Sequence, residues 1–167
     1  MEKKINYLSK NFGPMWDDDD DDESGWDEDD EFDARKEHEN IYKHPLMKKA
    51  KDIFALTRAL VGSLDEARKE LYGNIMMEDA MVLSAKFAAA EAISDYVLKM
   101  EKAMIMKVHA KSLNTMTYQL GMEETHAEEH LELLREAVEE YRLLFIEWQK
   151  GFDSSERNDD GWGIFTD

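Results

Sequence analysis

Residues 127–151 read "AEEHLELLREAVEEYRLLFIEWQKG", and the fold follows from this stretch. Its apolar positions Ala127, Leu131, Leu134, Val138, Tyr141, Phe145 and Trp148 succeed one another in steps of four and three without a fault. That spacing lines one face of an α-helix and excludes the alternation of a strand. Glu128 and Glu129 stand at its start and Arg142 and Lys150 toward its end, so the charges complement the helix dipole at both termini. A helix with a single apolar stripe needs partners to cover it.

The same period recurs upstream. Pro45 sits where a first-turn proline belongs, and a stripe follows at Leu46, Ala50, Ile53, Thr57, Leu60, Leu64, Ala67 and Leu71. Gly62 and the run "SLDE" at 63–66 interrupt it, the run matching a capping box in which a serine and a glutamate satisfy each other's backbone donors. This predicts a first helix ending near Val61 and a second starting at Ser63. The alternative is one helix to Tyr72 that breaks at Gly73 and Asn74, because an internal glycine costs only about 1 kcal/mol. A second seam runs through Met76, Ala80, Leu83, Phe87, Ala90, Ile93, Val97, Met100 and Met104, with its phase slipping just before Ser94 and Asp95, both good N-caps. A third helix is therefore predicted from about Asp95 to Leu120, with Gly121 as its stop. Four helices joined by short turns predict an all-α, antiparallel, up-and-down four-helix bundle over residues 45–152.

Charge divides the chain in the same way. Of the net charge of −18, residues 1–44 carry −10 and residues 153–167 carry −4, leaving −4 for the centre. The ends thus read as acidic, largely disordered arms on a nearly balanced trunk. Such negative charge disfavours direct nucleic-acid binding and anionic membranes, which would be repelled. There is no cysteine, no signal-like apolar run and no stretch near the roughly 20 apolar residues of a membrane span, so the expectation is a cytoplasmic protein.

"KAKDIFALTRAL", "MVLSAKFAAAEAISDYVLKMEKA" and "HAKSLNTMTYQLGM" together resemble the small four-helix-bundle proteins encoded in 23S rRNA intervening sequences, over about residues 46–150. The resemblance rests on a "KA" start, a serine and the Ala90–Glu91 pair near the end of the second helix, and a glycine after the third. It implies a ring-like homo-oligomer with no known catalytic activity.

Chemical motifs are sparse. "HAEEH" at 126–130 has the spacing H-x-x-E-H, which on one helix would set His126 and His130 on a common face with Glu129 beside them, the makings of a zinc-dependent helical enzyme. No third ligand is specified, so the bland alternative is a glutamate-rich first turn. Glu123 with His126 makes one E-x-x-H pair, half of a di-iron set, and no second pair exists. His109, on the line His109, Leu113, Met116 and Leu120, reads as a core or boundary histidine. Nothing implies a cofactor.

The acidic arms carry aromatic residues that they cannot bury by themselves. Trp16, Trp26 and Phe32 sit among the acids of the first arm, and Trp162, Ile164 and Phe165 follow Asp159 and Asp160 in the last. Burying a ring gains roughly 2 kcal/mol while ordering each residue costs about 1–2 kcal/mol, so such anchors are best used on another molecule. The expectation is a non-enzymatic, homo-oligomeric adaptor or scaffold that grips a basic, grooved protein partner. An acidic regulator that mimics nucleic acid to occupy a basic protein is the rival.

Overall fold

His44 and Pro45 open the first long helix together: the His44 Nδ1 accepts from the backbone N–H of Leu46 at 3.1 Å, and proline takes the first helical position, where no donor is needed. A computed structural model describes residues 39–165 together with Lys36, all within the unit Arg35–Asp167. After a helical turn over residues 39–43 come α1 (Pro45–Ser63), α2 (Glu66–Arg68), a π-helical turn (Lys69–Gly73), α3 (Asn74–Glu91), α4 (Tyr96–Met122), α5 (Glu128–Lys150) and a 3₁₀ turn (Ser154–Glu156). Among the described residues there is no strand, and no helix is long and apolar enough to cross a membrane.

Each of the four long helices packs on two others: α1 on α3 and α5, and α4 on the same pair. The predicted seams supply most of the interior; Met104 is instead 42% exposed, and Ala127 is exposed because it precedes α5. Leu46, Ile53, Met76, Leu83, Phe87, Leu113, Leu131 and Leu134 are fully buried, each contributing about 1.5–3 kcal/mol by leaving water. The ends are tied by side chains. At one end Phe87 of α3 meets His44 at 4.8 Å and Trp148 of α5 at 5.4 Å between ring centroids, and the Trp148 indole donates to Glu91 at 2.8 Å. At the other, Arg68 Nε donates to Glu123 at 2.8 Å and His126 lies against the last turn of α1.

Four local expectations are corrected. The second helix is capped by Asp65, not Ser63: the Asp65 carboxylate accepts from the N–H of Arg68 at 3.1 Å, while the Ser63 hydroxyl turns back to donate to Leu60 O at 2.9 Å as part of α1. The stripe ends with the helix, since Leu64 is buried but Ala67 and Leu71 are exposed. Gly73 and Asn74 break nothing. Gly73 is buried in the π turn, and a Cβ there would meet Val61 Cγ1 at 3.1 Å, so the glycine is a close approach to α1 rather than a stop.

Gly121 likewise lies inside α4. A Cβ on it would meet Glu128 Oε2 at 3.3 Å and Leu131 Cδ1 at 3.4 Å, so it admits α5. The helix instead ends in a Schellman turn: Thr125 N–H donates to Leu120 O at 3.1 Å and Glu124 N–H to Gly121 O at 3.0 Å, with Glu124 in the left-handed region at φ 52°. The predicted start of α4 agrees with the structure, Asp95 accepting from Leu98 N–H at 2.9 Å.

Candidate functional site

The C-terminal tail is built in two parts, and the first is tied to the helical body. Trp148 stacks edge-on against Phe152 at 4.6 Å, and Asp153 caps the 3₁₀ turn by accepting from Ser155 N–H at 2.9 Å. Next, the Arg157 guanidinium lies 4.7 Å from the centre of the Tyr96 ring, and Asn158 donates to Asp95 Oδ2 at 2.6 Å. Asp95 therefore caps α4 with one oxygen and holds the tail with the other. Donation from Leu98 N–H and then from Asn158 keeps its carboxyl below the usual range.

The second part projects. Asp159 accepts from Gly161 N–H at 2.8 Å and Asp160 from Trp162 N–H at 3.0 Å, so the two acids fold the backbone beneath the ring. Gly161 and Gly163 flank the ring in the left-handed region, with φ of 82° and 68°, conformations that cost a side-chain-bearing residue about 1–2 kcal/mol. Trp162 is 81% exposed and Ile164 51%, while Phe165 is half-buried. Of the sequence-predicted anchors these three are placed; Trp16, Trp26 and Phe32 lie outside the described residues.

The histidine motif takes another form. Helix α5 begins at Glu128, so His126 precedes it and does not share a helical face with His130. His126 Nδ1 pairs with Thr125 Oγ1 at 2.8 Å, and Nε2 with Ser63 Oγ at 2.8 Å and Leu60 O at 3.2 Å, locking the α4–α5 loop to the end of α1. Glu129 and His130 are exposed, and among the described residues no three potential ligands gather around one point. Glu123 is equally committed, accepting from Tyr72 Oη at 2.5 Å, Gln119 Nε2 at 2.7 Å and Arg68 Nε at 2.8 Å.

Two features escape sequence reasoning. His109 is satisfied by Asp79, 30 residues earlier and itself 5% exposed, at 2.6 Å. The second is a groove of about 460 Å³ between α4 and α5. Its rim carries Lys107, Lys111, Arg135 and Arg142 against one carboxylate, Glu139, and its floor is apolar: Ala110, Val138, Tyr141 and Phe145. The signal was present as basic residues at i and i+4 on α4 and at i and i+7 on α5, but nothing local says that the two faces meet.

No family model, curated protein or solved structure matches the chain.

Proposed function

We propose that the protein is a non-enzymatic adaptor: its long helices form an antiparallel up-and-down bundle, and its acidic-aromatic ends bind a basic, grooved protein partner. The antiparallel reading is supported by the side-chain ties, which join the end of α1 to the loop after α4 and the start of α1 to the ends of α3 and α5. One observation carries the binding reading. Trp162 is held out at 81% exposure by a tail whose base is pinned through Asn158, with two carboxylates immediately before it. An indole has a large apolar area to bury and few rotamers to freeze, the properties of an interface anchor. The resemblance to the intervening-sequence bundles adds the expectation of a homo-oligomer without catalysis.

The test is capture of partner protein from the native host by full-length chain and by Trp162→Ala and Asp160→Asn variants. An aromatic anchor requires Trp162→Ala to lose capture more completely than Asp160→Asn. If capture instead vanishes with modest salt and ignores the tryptophan, diffuse acidic mimicry is the mechanism and the adaptor reading fails.

A further inference from the structure

We infer that the groove between α4 and α5 docks residues 159–165 of a second copy of this chain, seating Trp162 on the apolar floor and the two aspartates against the lysines of the rim. The inference rests on the adaptor reading of the tail and names a partner for it.

Charge is the first argument. In a chain of net −18, a groove with four cationic side chains and one carboxylate is locally reversed in sign. Arg142 is already held by Glu139 at 2.6 Å and Arg135 by Glu128, but among the described residues no carboxylate pairs with Lys107 or Lys111. Those two lysines are one turn apart on α4, about 6 Å. They match a ligand with adjacent acids, and the tail offers Asp159 and Asp160.

The floor gives the second. Ala110, Val138 and Phe145 form an apolar bed beneath the cationic rim, and a groove that is apolar below and positive above suits an aromatic ring preceded by acids.

The tail does not occupy its own groove. With its base held by Asn158 on Asp95, Trp162 stays 81% exposed, which leaves the ring available to a neighbour. Anchor and groove are different surfaces, so exchange closes either as a reciprocal dimer or as a ring.

Sedimentation velocity of the full chain across micromolar concentrations tests this. The wild type should self-associate. Trp162→Ala and Lys107→Glu/Lys111→Glu should each weaken association about tenfold or more, with unchanged helicity by circular dichroism. Mixing Lys107→Glu/Lys111→Glu with Asp159→Lys/Asp160→Lys should restore it, because the reversed charges again face each other. A monomeric wild type overturns the inference, whether Trp162 is covered within its own chain or reserved for a foreign protein. So does groove-reversed protein that associates like wild type. If that protein associates normally while Trp162→Ala still loses the foreign partner, only the groove assignment falls; if Trp162→Ala changes neither association nor capture, the adaptor reading falls with it.

Discussion

Asp79 Oδ1 lies 2.6 Å from His109 Nδ1, joining α3 to α4 through a carboxylate that is almost wholly buried. Its second oxygen, Oδ2, has no hydrogen-bond partner. The imidazole is thus the neighbour that makes burial of this acid tolerable. His109→Leu should lower stability by roughly 1–3 kcal/mol in chemical denaturation, because it strands the acid. Replacing both residues by leucine should recover much of the loss, since removing a buried polar pair costs less than breaking it. A single variant that unfolds at the wild-type denaturant concentration would show that the pair is idle.

Glu123 predicts how acid acts on the molecule. Donation from Tyr72 first, then from Gln119 and Arg68, holds its carboxyl down at about 2 instead of 4.5. A group depressed on folding stabilises fully above its unfolded value and loses that contribution as pH falls toward the folded one. Glu123→Gln should therefore melt below wild type at neutral pH, with the gap closing between pH 4.5 and about 2. A gap independent of pH would mean that shape, not charge, joins these elements.

Two glycines should respond differently to alanine. Nothing lies within 4 Å of a Cβ at Gly62, so Gly62→Ala should stabilise by about 0.5–1 kcal/mol through helix propensity. Gly73→Ala forces Val61 to move and should be neutral to destabilising by up to about 2 kcal/mol, overpacking offsetting the same propensity gain. Adding Val61→Ala to Gly73→Ala should remove the clash, and thermal melts of the three variants decide the matter.

The two histidines of the "HAEEH" run should also separate. His126→Ala removes contacts to Ser63, Leu60 and Thr125 and should cost about 1–2 kcal/mol. His130 is exposed, and His130→Ala should fall within about 0.5 kcal/mol of wild type. Equal effects in urea titration would contradict this division.

Periodicity made the long helices legible because each seam position is bought by burial against any apolar neighbour, whichever it is. Leu131, Leu134, Val138 and Tyr141 all lie inside as their spacing predicts. Glycine was harder, since the same residue serves as a stop or as a gap for a neighbouring helix. Gly73 and Gly121 are gaps, and only their contacts with Val61 and Leu131 reveal it. Ser63 is ambiguous in sequence because a serine before "LDE" caps a helix as well as it closes the one before, and Asp65 competes two residues later. Of the candidate site, the tail's composition was readable, but its anchorage through Asn158 to Asp95 and the basic groove depend on residues far apart in the chain.

The five-residue π turn at Lys69–Gly73 holds one residue more than the α-helical period requires. Deleting one residue there would let α2 and α3 run on as a continuous α-helix, and four α-helical residues turn the chain through about 400°, nearly what the five wider ones cover, so Arg68 would stay opposite Glu123. A single-residue deletion in this segment should therefore be tolerated better than one inside α1 or α5, which makes the turn the place where this chain carries slack in its length.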